Sequence, residues 1–217
     1  MPVTYDLLIP TIPHRHELLC ALLAEIGRQW LPGVGVRVHR TQPAVPGVVP
    51  GLREKNQALL NSSTAEYVSW LDDDDWLAAA YLPKVMEALE RKPDYVGFRV
   101  AYTVDGQPRM PVVHSLRYHA WEDRDGTLLR DITALNPVRR DLANLGRWDT
   151  AEQEHGADHH WASQVRQSGL CKTEVFLDED MYHYRYRPGD SYLSPREPVP
   201  DWPPLPEYPW LTALEAC

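Results

Sequence analysis

The sequence is poor in cysteine and in basic residues. Its three cysteines, Cys20, Cys171 and Cys217, lie far apart and form no CxxC pair, which argues against a disulfide framework and against a zinc ribbon. This cysteine usage favours a reducing, cytoplasmic setting. With 22 Lys and Arg against 31 Asp and Glu, the net charge is −9. Because a protein that holds nucleic acid by its phosphates needs a basic surface, we expect no general nucleic-acid binding.

Long apolar runs and phenylalanine are scarce as well. No run reaches the roughly 18 apolar residues that a membrane span requires, and no signal peptide is recognisable, so we expect no membrane span. Two Phe stand against eight Trp and eleven Tyr, so most aromatic rings carry a polar group, as binding clefts often require. A chain of 217 residues suits one domain with a single core, with or without an appendage.

The most unusual stretch is residues 66–76, where an apolar run ends in four consecutive aspartates, Asp72 to Asp75. The run, residues 67–71, predicts a short buried strand. Adjacent carboxylates resist burial unless something neutralises them, and Mg²⁺ or Mn²⁺ prefers such oxygen ligands. The alternative is a solvated acidic turn, since charge runs are usually solvated. Trp70 and Trp76, which bracket the acids, favour the first interpretation.

Strands and helices alternate along the first 92 residues. Strand, helix, strand is the opening of a doubly wound α/β fold, in which ligands bind at the carboxyl ends of the strands. Pro10 is expected to end the first strand. The predicted elements are a strand at 3–9, a helix at 14–29, a strand at 34–38, a loop at 40–51, a helix at 52–61, the acid-ended strand, and a helix at 77–91.

The alternation is lost after residue 93. Asp105-Gly106 predicts a hairpin between residues 95–104 and 109–117. The further predicted elements are strands at 132–136, 171–177 and 182–187 and helices at 137–143 and 158–167. The remaining residues, 188–217, are rich in proline and cannot form regular helix or inner strand. Their aromatic residues Trp202, Tyr208 and Trp210 predict that this tail packs on the domain, the alternative being a polyproline segment that binds a partner.

Five pieces of sequence resemble, in order, the motifs of an inverting, family-2-like glycosyltransferase with the GT-A fold. They are residues 8–11 with Arg15, 55–59, 66–75, 156–158 and 183–185. The resemblance covers residues 3–190 and implies a Rossmann-like α/β fold with a central, mostly parallel sheet flanked by helices. It divides a domain at 1–187 into a nucleotide-sugar-binding half, 1–92, and an acceptor and catalytic half, 93–187.

The resemblance also implies an activity. A sugar would move from a nucleoside-diphosphate sugar, with a UDP-sugar as the first candidate, to a hydroxyl acceptor. The acceptor stays open among glycan, lipid-linked sugar, protein, metabolite and modified nucleobase. The family commonly has an Asp after the second strand that reads uracil, whereas residues 39–42 here read His-Arg-Thr-Gln, so UDP, GDP and TDP all stay open. The donor contacts implied by the resemblance are Pro10, Thr11, Arg15, Lys55, Asp72, Asp73 and Arg185.

A metal site belongs to the same resemblance. The DxD motif of such enzymes corresponds to Asp72-x-Asp74, and the implied ion is Mn²⁺ or Mg²⁺, which stabilises the diphosphate leaving group as a Lewis acid. Asp74, Asp75 and His183 are the implied metal residues. Because four aspartates are adjacent, the register is ambiguous, and Asp73 is open to the alternative of a solvated side chain. For His183 the alternative is packing between tyrosines.

The catalytic base implied by the resemblance is Asp158, which would take the proton of the acceptor hydroxyl. The alternative for Asp158 is a helix N-cap. His159 or His160 is expected to face the acceptor, while a zinc site formed with His155 is a weaker interpretation. Two other functions stay open, a nucleotidyltransferase on a similar sheet and a catalytically inactive nucleotide-sugar-binding module of the same fold.

Overall fold

The strands at the centre of the fold are buried along their whole length. In the computed structural model, which describes residues 2–40, 51–148, 156–187 and 203–215, β1 (Tyr5–Thr11) lies between β2 (Val34–Arg40) and β3 (Tyr67–Trp70) and is parallel to both. Every residue of β1 and β3 is buried, as in a sheet that is covered on both faces.

Helices cover the two faces of this sheet. α1 (His16–Gln29), which follows a 3₁₀ turn (Pro13–Arg15), and α3 (Tyr81–Leu89) pack on one face. On the other face lie α2 (Leu52–Ser62), α4 (Arg140–Ala143) and α5 (Ala157–Gln167). Side chains of β1 point alternately to the two sides, so that Leu7 and Ile9 join one core and Leu8 joins the other. The expected α/β fold is confirmed.

Two long strands form the centre of the second half. β5 (Tyr95–Val104) and β11 (Glu174–Tyr186) are parallel, and β10 (Val138–Arg139) is antiparallel between β3 and β5. Among the described residues the strand order is β12-β2-β1-β3-β10-β5-β7-β9-β8, with β4 on β11 and β6 on β5. The remaining strands are β4 (Trp76–Leu77), β6 (Gln107–Pro108), β7 (Val112–His114), β8 (Glu122–Arg124), β9 (Thr127–Arg130) and β12 (Leu211–Glu215).

Several predicted boundaries are wrong, each for a local reason. Pro10 does not end β1, because the ladder to β3 stops at Leu8 and a proline beyond that point removes no bond from it. Residues 132–136 form a turn rather than a strand, since the side chains of Thr133 and Asn136 hydrogen-bond there at 2.6 Å. The helix predicted at 77–91 begins only at Tyr81, because residues 76–77 pair with β11. The two strands predicted at 171–177 and 182–187 are one irregular strand, β11.

The chain end contributes a strand at the edge of the sheet. β12 pairs in parallel with β2, and the buried Trp210 stacks on Tyr208 with ring centroids 4.4 Å apart. The residues from 188 to Trp202 lie outside the described part of the chain. Within the described ranges, no helix combines the length and the apolar character that crossing a bilayer requires.

A buried histidine makes fold stability depend on pH. Burial lowers the pKa of His114 to about 4, although its Nδ1–H donates to Asn136 Oδ1 at 2.6 Å. The unfolded chain therefore binds a proton that the folded chain does not, and the free energy of unfolding falls as the pH drops from the ordinary histidine value towards 4. We expect a loss of about 2 kcal/mol between pH 7.5 and pH 5 from this residue. Urea unfolding of the unmodified protein and of His114→Gln at both pH values measures this loss of unfolding free energy. An equal loss in the two proteins would contradict the role of His114.

Candidate active site

The four aspartates form a turn at the carboxyl ends of β1 and β3. The backbone N–H of Asp75 donates to the carbonyl of Asp72 at 3.2 Å, which closes the turn. Asp73 and Asp75 are each 2% exposed, whereas Asp72 and Asp74 are half-buried. The second and fourth acids therefore point into the protein, and the first and third line its surface. We refer to residues 72–75 as the acid turn.

Asp73 joins the acid turn to the end of β1. Its carboxylate accepts hydrogen bonds from Thr11 Oγ1 at 2.6 Å and from Arg15 Nη1 at 2.9 Å, and Arg15 Nη2 lies 3.3 Å from Asp74. Burial raises the pKa of Asp73, and these two partners oppose the shift. Burial lowers the pKa of Arg15, but Asp73 and Asp74 outweigh it and raise that pKa overall. The alternative of a solvated Asp73 is wrong.

Asp75 joins the acid turn to β11. The hydroxyl of Tyr182 donates to Asp75 Oδ2 at 2.7 Å, and the backbone N–H of Arg185 donates to Oδ1 at 2.8 Å. The Arg185 guanidinium donates to the carbonyl oxygen of Asp74 and lies 5.2 Å from the centroid of the Trp76 ring. Each carboxylate oxygen of Asp75 thus accepts a hydrogen bond from a donor on β11.

The pKa of Asp72 is raised by burial and by the negative charges around it. Burial, Asp74 and Asp73 raise the pKa of Asp72 to about 7, Arg15 lowers it, and Asp158 raises it further. A second cation beside Arg15 would relieve this repulsion, and carboxylates in this arrangement suit a hard divalent ion. Among the residues that the structure describes, no three His, Cys, Asp or Glu side chains converge as a ligand set. The chemistry of these carboxylates suits Mg²⁺ or Mn²⁺, ions that accept oxygen ligands from protein, phosphate and water alike.

His183 lies on the same face of β11 as Arg185. Since side chains alternate along a strand, Tyr182 and Tyr184 share one face of β11 and His183 and Arg185 share the other, where His183 is paired with Trp76 on β4. Burial raises the pKa of Tyr184, and Asp72, Asp75 and Asp74 contribute to the shift. Both faces of β11 therefore border the acid turn, one through the Tyr182 hydroxyl and the other through the Arg185 guanidinium, and the metal role of His183 stays a prediction.

Two other predicted donor residues, Pro10 and Lys55, lie at the same end of β1. Lys55 is 4% exposed, and its ammonium donates to the carbonyl of Thr11 at 3.0 Å. Pro10 is paired with His39 on β2. Both residues therefore support the end of β1, next to Thr11 and Arg15.

Asp158 stands exposed in the first turn of α5. The N-cap position is held by Gly156, whose φ of 80° is left-handed, and no side-chain cap is formed there, so the N-cap alternative for Asp158 is wrong. The negative charge of Asp158 contributes to the raised pKa of Asp72. Burial lowers the pKa of Arg130, and the charges of Asp123 and Asp158 oppose that shift. Arg130 lies 5.1 Å from the Trp121 ring centroid, and His159 meets the same ring edge-on at 5.0 Å. His155 lies outside the described residues.

Residues 52–143 match the family model described as "Glycosyl transferase family 2". The resemblance to family-2 glycosyltransferases is thereby confirmed. The matched segment includes α2, the acid turn and the strands on either side of it. A search of curated proteins found no match to the sequence.

Crystal structures of S. aureus TarS share the fold. TarS 1–349 superposes with a TM-score of 0.58 at 12% identity, covering 84% of this chain and 60% of the TarS chain. Its complex with UDP superposes with a TM-score of 0.58 at 13% identity, covering 86% of this chain and 61% of the TarS chain. Its complex with UDP-GlcNAc superposes with a TM-score of 0.57 at 11% identity, covering 85% of this chain and 59% of the TarS chain. The present chain therefore spans about three fifths of TarS 1–349. Together with the family match, this bears out the predicted GT-A fold and the resemblance to family-2 glycosyltransferases.

Sequence reasoning missed Tyr182, Trp121 and Arg130. The signal for Tyr182 was weak but present, because a tyrosine in a buried strand needs a partner for its hydroxyl. The β8–β9 hairpin brings Trp121 and Arg130 next to His159 of α5, and no local pattern indicates where that hairpin lies.

The buried Asp73 and the exposed Asp158 should differ in their effect on stability. Asp73→Ala leaves Thr11 and the largely buried Arg15 without their shared partner, so we expect the free energy of unfolding to fall by about 2 kcal/mol. Asp158→Ala removes a solvated side chain without hydrogen bonds in the described structure and should change it by less than about 0.5 kcal/mol. Urea unfolding of both variants measures the difference, and equal effects would contradict the geometry described above.

Proposed function

We propose that the protein is a metal-dependent, inverting glycosyltransferase that moves a sugar from a nucleoside-diphosphate sugar to an acceptor hydroxyl. One observation carries the proposal. The exposed carboxylate of Asp158 lies in the first turn of α5, and Trp161 of the same helix packs 5.2 Å from Trp70, two residues before the acid turn. A group that binds the donor diphosphate and a group that activates the acceptor thus face a common space.

The donor is proposed to lie over the end of β1 and the acid turn. Thr11, Arg15 and Asp73 form a connected polar surface there. Arg185, half-buried beside Asp74, is the proposed contact for diphosphate oxygens, for which a guanidinium is well suited. UDP is the proposed nucleotide, because the TarS structures that share this fold were solved with UDP and with UDP-GlcNAc.

Asp74 is the proposed ligand of Mn²⁺ or Mg²⁺, with Asp72 beside it. Asp74 is half-buried at the surface of the acid turn, where its Oδ2 lies 3.3 Å from Arg15 Nη2, whereas each oxygen of the buried Asp75 accepts a hydrogen bond from β11. His183, implied as a further ligand, is half-buried on β11 between Tyr182 and Tyr184. When bound, the ion supplies Lewis-acid stabilisation of the negative charge that develops on the leaving diphosphate.

Asp158 is the proposed base. It takes the proton of the acceptor hydroxyl while that oxygen forms a bond to the anomeric carbon, and the bond from this carbon to the diphosphate breaks with both electrons going to the leaving group. A single displacement of this kind inverts the anomeric configuration. His159, which follows Asp158 on α5, contacts the Trp121 ring, and Arg130 lies over the same ring. These three residues are the proposed acceptor side, in keeping with a division into donor and acceptor halves near residue 92.

The setting proposed for this activity is the cytoplasm. Cys20 and Cys171 are both free thiols, which suits a reducing compartment.

The proposal is tested with a panel of UDP-, GDP- and TDP-sugars in the presence of Mn²⁺, measuring release of the nucleoside diphosphate. We expect hydrolysis of at least one donor, with a requirement for the divalent ion. Asp158→Asn keeps the shape of the side chain and removes the base, so it should retain nucleotide binding and lose transfer by about a hundredfold to ten-thousandfold.

Asp141→Asn is the control, because Asp141 is also an exposed acid in the first turn of a helix, α4, and its carboxylate pairs with Arg139 rather than with the acid turn. It should leave hydrolysis unchanged. Absence of nucleotide binding with any base and either ion would overturn the proposal, and full transfer by Asp158→Asn would overturn the assignment of the base.

A further inference from the structure

The side chain of Tyr182 lies between the two ends of the acid turn. It is fully buried, and its hydroxyl donates to the carboxylate of Asp75 at 2.7 Å while it accepts the backbone N–H of Asp72 at 3.2 Å. One oxygen atom therefore connects the first residue of the turn to the last. β11, which carries Tyr182, approaches the turn from the second half of the chain, more than 100 residues away.

We propose that Tyr182 and Asp75 are a positioning pair that fixes the conformation of the acid turn, and that Asp75 is not a cation ligand. This inference rests on the proposed function for its catalytic consequence, since Asp72 and Asp74 are the acids left to face the donor. The predicted metal role of Asp75 is replaced by a structural connection to Tyr182 and to the backbone of Arg185.

The hydrogen-bond geometry supports this division. Asp75 directs one oxygen to a side-chain hydroxyl and the other to a backbone N–H of β11, and it is only 2% exposed. A carboxylate held by two donors in this way has little freedom to turn towards a ligand at the surface. Asp72 and Asp74 alternate with it and lie at the surface, so fixing Asp75 also fixes their direction.

Tyr182→Phe removes the connecting oxygen and keeps the ring in the core. Tyr67→Phe is a matched control, because Tyr67 is also fully buried on a strand and its hydroxyl donates to the carbonyl of Pro93 at 2.8 Å, away from the acid turn. In the protein without ligand, amide hydrogen exchange of residues 72–75 should become about tenfold faster in Tyr182→Phe. Tyr67→Phe should leave these amides unchanged, and an equal response of both variants would overturn the positioning role.

Binding of UDP in the presence of MnCl₂, measured by calorimetry, tests the consequence for the site. Tyr182→Phe should weaken this binding by about tenfold, and Tyr67→Phe by less than about twofold. If the unmodified protein does not bind UDP with Mn²⁺, the proposed donor is wrong, while the exchange measurement still decides whether Tyr182 positions the turn.

Amide substitutions distinguish a positioning acid from a ligand. Asp75→Asn keeps an oxygen that can accept from Arg185 N–H, so Mn²⁺-dependent UDP binding should stay within about threefold of the unmodified protein, whereas Asp74→Asn should lose at least about tenfold. Asp75→Ala should behave as Tyr182→Phe does. If Asp75→Asn lost as much affinity as Asp74→Asn while Tyr182→Phe bound normally, Asp75 would be a ligand and the inference would be wrong.

Discussion

The rest of the site depends on the repulsion among four carboxylates at the end of a buried strand. Burial raises the pKa values of Asp72, Asp73 and Asp75 above the ordinary range. A carboxyl whose pKa is raised in the folded state binds its proton more tightly there, so the ionised acid turn opposes folding as the pH rises through those values. Any cation that binds the turn therefore also stabilises the fold.

The protein limits this repulsion by directing neighbouring acids in opposite directions. Asp73 turns to Thr11 and Arg15 at the end of β1, and Asp75 turns to β11. The two acids that alternate with them, Asp72 and Asp74, stay at the surface. Two of the carboxylates are therefore used to hold the turn in place, and the remaining two are the ones proposed to face a ligand. A solvated acidic loop would need neither connection.

Periodicity and chemistry in the sequence predict the first half well and the site in part. Helical spacing indicates α1 and α2, and the apolar run before the acids indicates β3. The direction of His183 could not be predicted, because β11 carries register irregularities between Leu177 and Tyr182, and each one-residue shift moves a side chain to the other face. The turn at residues 132–136 depends on side-chain hydrogen bonds to His114, which is distant in sequence.

A cluster of three tryptophans sets the relation between the acid turn and Asp158. Trp70, two residues before the turn, lies 5.2 Å from Trp161 of α5, and Trp148 packs on both rings at 5.1 and 5.6 Å. All three are at most 3% exposed. Trp161 lies one turn after Asp158 on the same helix, so the contact joins the strand that ends in the acids to the helix that begins with the proposed base.

The cluster also accounts for Gly146. A Cβ atom there would approach Trp161 Cδ1 to 2.5 Å, closer than side chains pack, so only glycine allows the chain to pass over the ring. Trp161 in turn donates its indole N–H to the carbonyl of Ala143 at 3.1 Å, which fixes the ring against α4. Large buried rings held by such contacts rotate little. The position of Asp158 relative to the acid turn is therefore set by the core, and the chemistry proposed for the surface depends on it.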